Sequence, residues 1–141
     1  TGAGMLAAMA LGADGIQCGS IFATAKESSA HDNFKKLVVD TQEGGTMLTL
    51  KLRAPVRMIK NNFYSQLKAL EDKGASLEDF VKLLGKGRSK KGIFEGNLED
   101  GELEIGQISS MITDIKSAQQ IIDEMIAEYN VRKQQCAETC F

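Results

Sequence analysis

Two glycine turns flank one short apolar unit at the start of the sequence. Gly2-Ala3-Gly4 opens the unit and Gly19-Ser20 closes it. A glycine lets the backbone approach a bound group closely and adopts φ > 0 without strain. N–H groups at the start of a following helix face an anion, and the Ser20 hydroxyl adds a further donor. The chemistry that suits these residues is the holding of a phosphate. Two such turns, one helix and one strand apart, match the last two β/α loops of a (β/α)8 barrel, where phosphate sites occur. Plain turns use the same residue types, so spacing alone leaves both readings open.

Other reactive residues carry less. Cys136 and Cys140 stand four apart at a helical tail and could bind a soft metal or form a redox pair. No His or third Cys is near them in sequence, and no metal site is expected. Glu95, Glu99, Asp100, Glu102 and Glu104 fall in a stretch read as a solvated loop, with no reason for a buried acid/base pair. The basic run Arg88-Ser89-Lys90-Lys91 is short and is followed by acidic residues, so it too reads as solvated. The six methionines, Met5, Met9, Met47, Met58, Met111 and Met125, mostly fall on apolar helical faces and read as core.

Helical spacing of Met5, Leu6 and Met9 predicts a helix from Met5 to Leu11, stopped by Gly12 at C′. Gly15-Ile16-Gln17-Cys18 is short, largely apolar and bounded by Asp14 and Gly19, the pattern of a buried parallel strand. Ser20 falls where an N-cap belongs, opening a helical turn over Ile21–Ala25. Asp32 or Asn33 caps a helix through Asp40, with Phe34, Leu37 and Val38 on one face. Gly44-Gly45 breaks the chain. Thr46–Leu52 is β-prone. Pro55 fits the first turn of a helix from Val56 to about Lys73, because Val56, Ile59, Phe63, Leu67 and Leu70 recur at three- to four-residue spacing. Ser76 and Asp79 form a capping-box pattern ahead of a helix to Leu84. Gly85–Gly101 reads as an ordered loop and Glu104–Thr113 as helical. Ser117 caps a last helix with Ile121, Ile122, Met125, Ile126 and Tyr129 on one face, fraying after Arg132.

The bulk properties narrow the class. The chain has 141 residues, 43% of them apolar and 26% charged, with a net charge of −2. That length suits one domain with a real core. The charge balance gives no footprint for nucleic acid. No apolar run is long enough to span a bilayer, no secretory leader is visible, and an odd, badly spaced cysteine set favours a reducing, cytoplasmic setting. One convincing strand cannot make a sheet. Either the chain is a helical domain with a small β element, or it is the last part of a larger α/β domain, and the N-terminus favours the second. The first residue is Thr, in mid-loop, which fits a partial chain.

The order of motifs along the chain resembles one family. Gly2-Ala3-Gly4-Met5, then Ala7–Leu11 and Gly12-Ala13-Asp14-Gly15-Ile16-Gln17-Cys18-Gly19-Ser20-Ile21-Phe22, is similar to the C-terminal barrel segment of the nitronate monooxygenases. That family is also known as the 2-nitropropane dioxygenases and includes FMN-dependent enoyl-ACP reductases. Glu27-Ser28-Ser29-Ala30-His31, Pro55–Asn61, Gly96–Gly101 and Gly106-Gln107 resemble later family segments in the same order.

The resemblance implies an FMN-dependent oxidoreductase built on a TIM barrel. Residues 1–45 would be the C-terminal end of that barrel: the end of the strand-7 loop, a helix, strand 8 and the helix after it. Residues 46–141 would be a mainly helical region packed on the barrel. Carried over by position, Gln17, Cys18, Gly19 and Ser20 are the strand-8 contacts to phosphate and flavin, with Ser20 in place of the usual Thr and Cys18 contacting through its backbone. Gly2 matches the end of the strand-7 loop, and the Gly-Gly before it would precede Thr1. Gly106 and Gln107 match a segment that folds back near the flavin. The family's catalytic His lies on an earlier strand, so no catalytic residue is expected in this chain, and His31 is left a surface or capping role. The implied reaction is oxidation of an alkyl nitronate by O₂. The alternative is enoyl-ACP reduction by NAD(P)H in fatty-acid synthesis. The partner is then a small-molecule substrate, nitronate or enoyl thioester, with no nucleic acid or membrane, and a homodimer stays open. A barrel cannot close without its other strands, so the isolated fragment is expected to be inactive and to bind FMN poorly.

Overall fold

The computed structural model describes residues 1–51 and 54–139. Thr1 caps α1 (Gly2–Ala10), its Oγ1 accepting from the Gly4 N–H at 3.0 Å. The helix thus begins a turn earlier than the spacing of its large side chains suggests, and Gly2 is helical rather than part of a loop. Gly12, at φ +99°, ends it as a C′ glycine does. Residues 13–19 then run without regular hydrogen bonding, and α2 (Ser20–Ala23) is a single turn.

The buried strand expected at Gly15–Cys18 is not formed: the segment is unpaired, and all of it but the half-buried Cys18 is exposed. A strand exists only through its ladder partners, and no described strand of this chain pairs with it. The cap positions also differ from expectation. Gly19, not Ser20, is the N-cap of α2. His31, not Asp32 or Asn33, caps α3 (Asp32–Asp40), its Nδ1 accepting from the Asn33 N–H at 3.1 Å.

β1 (Thr46–Thr49) pairs antiparallel with β2 (Val56–Ile59), Thr46 opposite Ile59 and Thr49 opposite Val56. The strand expected from Thr46 to Leu52 ends at Thr49, and residue 52 lies outside those described. The helix expected from Val56 to Lys73 is therefore two elements, β2 and α4 (Asn62–Asp72), separated by the Asn61 cap. Pro55 precedes a strand, not a helix. Leu103–Ile105 adds a short third edge: the Ile59 N–H donates to the Leu103 carbonyl at 3.0 Å and the Ile105 N–H to that of Arg57 at 3.1 Å.

α5 (Leu77–Leu84) opens on the expected Ser76/Asp79 capping box. The stretch read as an irregular loop contains a π-helical turn at Lys90–Phe94. It is not freely solvated. Arg88 donates to the carbonyls of Leu83, Leu84 and Asp100 and stacks 4.8 Å over the Phe63 ring. Glu102 is buried and accepts from the Ser89 hydroxyl at 2.6 Å. The helix expected over Glu104–Thr113 is only the bridge at Glu104 and a 3₁₀ turn, Gln107–Met111. α6 (Ala118–Glu138) starts at a Ser117/Gln120 capping box and continues past Arg132 to Glu138.

Two buried clusters organise the packing. Ala30, Phe34 and Val38 pack with Ile59, Leu103, Ile105 and Ile112. Leu50, Met58, Phe63, Leu67 and Phe80 form the second. Of the methionines, Met58 is fully buried, whereas Met9, Met47 and Met111 are exposed. Beside both clusters, α1 lies along α6, where the Gly2 backbone sits so close that a Cβ would collide with the Met125 carbonyl and the Tyr129 nitrogen.

Candidate functional site

The segment Gln17–Ser20 owes its shape to the turn that follows it. Gly19 has φ −99° and ψ −67°, and its carbonyl accepts from the N–H groups of Phe22 at 3.0 Å and Ala23 at 2.9 Å. The N–H groups of Ser20 and Ile21 lie in the first turn, where no intrahelical carbonyl can reach them. A Cβ built on Gly19 or on Gly15 meets nothing within 4 Å. The backbone there is open to an incoming group. Gln17 is exposed, and Cys18 and Ser20 are half-buried.

Ser20 is fixed from the other side of the molecule. Its Oγ accepts from the Gly106 N–H at 3.1 Å, across a sequence separation of 86 residues. A Cβ on Gly106 would stand 2.6 Å from that oxygen, so the close approach requires glycine. The third sheet edge delivers Gly106 to this point: pairing of Leu103 and Ile105 with β2 fixes the direction of the chain, and Gly106 then caps the 3₁₀ turn with Gln107 exposed beside it. The bond uses a lone pair of Oγ and leaves the hydroxyl proton free to be donated. The structure thus brings together Ser20 and Gly106, two residues far apart in the chain.

Gly2 is not part of this opening. It is buried, and its N–H is already committed to Glu128 Oε2 at 2.7 Å. Sequence reasoning missed Glu128, because nothing local marks a carboxylate on a helix face as the partner of a residue 126 positions away. It likewise missed Glu27, whose Oε2 accepts from the Ala118 N–H at the start of α6 at 2.9 Å. That backbone hydrogen bond holds the Glu27 carboxyl below its ordinary value. Lys116 is held above its own by its hydrogen bond to Glu124.

The remaining candidates stay apart from the site. His31 caps α3 with Gly96 packed on its ring, as its capping role requires. Cys136 is exposed and free, and Cys140, the other half of the Cys136/Cys140 pair, lies outside the described residues. No group of three metal-ligating side chains forms among the described residues. No described helix is long and apolar enough to cross a membrane. Chemically, the site offers backbone N–H groups, a hydroxyl and a carboxamide. This set suits holding an anionic or polar group, and Gln17, Gly19 and Ser20 supply no general acid or base near neutral pH.

With its helices and one small antiparallel sheet, the chain is an α/β protein whose open glycine-serine turn is clasped by a distant glycine. The family model for nitronate monooxygenase matches residues 1–128, and the chain belongs to that family. It is 28% identical over 132 residues to a probable nitronate monooxygenase of Staphylococcus saprophyticus, covering 92% of this chain and 36% of that protein. The probable nitronate monooxygenase of Bacillus subtilis is 28% identical over 126 residues, again covering 36% of its length. The chain therefore spans little more than a third of these relatives. Among solved structures it is similar to FabK from Thermotoga maritima, at a TM-score of 0.86 and 29% identity, over 96% of this chain and 43% of that one. A FabK M276A mutant from the same organism gives 0.80 at 28% identity, over 96% and 41%.

Proposed function

We propose that this chain is the phosphate-holding portion of an FMN-dependent oxidoreductase that oxidises alkyl nitronates with O₂. Membership of the nitronate monooxygenase family supports the reaction class. The observation that supports the assignment of the site is the clasp between Ser20 Oγ and the Gly106 N–H, beside the open backbone of Gly19. FMN, when bound, supplies the redox centre. The chain's own residues bind and orient it. Open backbone at Gly19 admits the phosphate, the N–H groups of the following turn and the Ser20 hydroxyl donate to it, and Gln17 and Gln107 offer carboxamides to the polar edge of the ring. Cys18 contributes through its backbone. Residues that touch the substrate and move its proton belong, on this proposal, to the two-thirds of the relatives' length that this chain does not span.

A second reading, reduction of an enoyl thioester by NAD(P)H, keeps its place because the solved structures of similar fold carry the FabK name. One preparation tests both. The full-length protein that carries this segment should gain a flavin absorbance band with FMN, retain it through gel filtration, and consume O₂ with an alkyl nitronate. Oxidation of NADH with an enoyl thioester, and no O₂ uptake with nitronate, selects the second reading. A protein that takes up no FMN overturns both.

A further inference from the structure

Glu102 is a buried charge that the flavin proposal leaves without a role. Side chains alternate across a strand, so Leu103 and Ile105 enter the first buried cluster and Glu102 falls on the opposite face. It is 8% exposed. Its Oε2 accepts from the Ser89 hydroxyl at 2.6 Å. Among the described residues, no lysine or arginine forms an ion pair with it. A carboxylate can accept about four hydrogen bonds, and one neutral hydroxyl uses a small part of that capacity. Burying a charge without a counter-charge is unfavourable, so packing alone gives no account of a carboxylate at this position.

Glu102 lines a cavity whose apolar wall is Leu50, Val56 and Leu84, side chains of the second cluster. Ser89 and Arg88 line it as well. The Arg88 guanidinium is taken up by the carbonyls of Leu83, Leu84 and Asp100 and by the Phe63 ring, so it leaves Glu102 unpaired. Gly85 and Gly87 carry the chain past the cavity at φ +58° and +76°. Both are exposed, and a Cβ at either meets nothing within 4 Å, so the backbone leaves that side open. The cavity shares no residue with Gln17–Ser20 or with Gly106. An apolar concavity with a few polar groups in its lining is the form of a small-molecule site.

We infer that this cavity binds a small primary alkylammonium, with Glu102 as its anionic acceptor. An ammonium brings three N–H donors and the counter-charge that the carboxylate lacks, and a charge-assisted hydrogen bond is roughly twice as strong as a neutral one. The short alkyl chain covers Leu50, Val56 and Leu84 and removes their surface from water. Glu102 repels an anionic ligand, and a neutral alcohol of the same length offers it a single uncharged donor. The site is separate from the flavin proposal and stands without it.

The test titrates the full-length protein that carries this segment with n-butylammonium and, separately, with butan-1-ol. Calorimetry should give saturable binding of the ammonium, with the alcohol about tenfold weaker or more. In methyl-labelled protein the butyl chain should show intermolecular nuclear Overhauser effects to Leu50, Val56 and Leu84. Glu102→Gln keeps the shape and hydrogen-bonding capacity of the side chain without its charge, and should weaken the ammonium about tenfold while leaving the alcohol unchanged. A thermal melt checks that this variant is folded, and the comparison of the two ligands on the unmodified protein carries the test if it is not. Equal affinity for the two ligands, no saturable binding of the ammonium, or unchanged ammonium affinity in folded Glu102→Gln each overturns the inference. None of these outcomes bears on whether the protein takes up FMN.

Discussion

Ser20 and Gly106 form a pair in which each residue is needed because of the other. The hydroxyl satisfies a half-buried N–H, and the missing Cβ makes room for the hydroxyl. Ser20→Ala leaves the Gly106 N–H without its partner and should cost about 1–2 kcal/mol of stability. Gly106→Ala drives a methyl to 2.6 Å from Oγ and should cost a similar amount or more. The two penalties do not add. Once Oγ is gone the methyl at position 106 has space, so the double variant should be at least about 1 kcal/mol more stable than the sum of the single changes predicts. Urea denaturation of the four proteins reads that coupling directly, and strict additivity would show that the two residues act independently. A second residue-scale feature is Leu50, at φ +57° the only non-glycine residue in the left-handed region among those described. Glu71 Oε1 holds it there, accepting from the Leu50 N–H at 2.7 Å and from the Thr49 hydroxyl at 2.9 Å.

At the scale of elements, the caps at Ser76 and Ser117 are legible in the sequence, whereas those of α2 and α3 fall on Gly19 and His31 instead of the residues expected. Ser76 with Asp79 and Ser117 with Gln120 both form reciprocal caps, since a cap is decided by residues three apart. What could not be read depended on remote partners. Val56 and Ile59 fit the same three- to four-residue spacing as Phe63, Leu67 and Leu70, yet they belong to a strand because β1 and Leu103–Ile105 flank them. Asn61, whose side chain accepts from the Tyr64 N–H, is the local mark of that boundary. The helix start after Gly19 was legible, whereas the unpaired state of Gln17 and Cys18, the Gly106 clasp and the Glu27 and Glu128 contacts were not, because periodicity carries no record of what a segment will meet. The caps also set an acid response. Glu27 and Asp79 both have carboxyls held below their ordinary values, Glu27 by the Ala118 N–H and Asp79 by the Ser76 hydroxyl. Their stabilising contribution is present above the unfolded-state values of 4.5 and 3.8 and is lost as pH falls through the lower folded values. Melting temperature should therefore fall below about pH 4.5. The fall should be shallower in Glu27→Gln, and an identical acid limb in the variant would show that the contact to α6 is not formed in solution.

For the whole molecule, the unpaired segment Gly15–Cys18 and the apolar surface beside it pose one question. α1 is apolar on nearly every side, yet only one side meets α6, and Met9, Leu11 and Ile16 are exposed. A helix apolar all round is one that ends up enclosed. A short apolar segment between two glycine turns is, likewise, a strand once neighbours are supplied on both edges. This chain spans 36% of the relatives it matches, and on the proposed barrel reading the other strands of the longer protein are those neighbours. Amide hydrogen exchange distinguishes the two states. In a protein limited to residues 1–141, the N–H groups of Ile16, Gln17 and Cys18 should exchange almost as fast as in an unstructured peptide, while those of the buried β2 strand and α4 are slower. In the full-length protein the same three amides should slow by about a thousandfold or more, as ladder bonds close on both sides of the segment. Fast exchange there in the longer protein would mean that the segment is a surface loop in every context, and that the open glycines at 15 and 19 are not the end of a barrel strand.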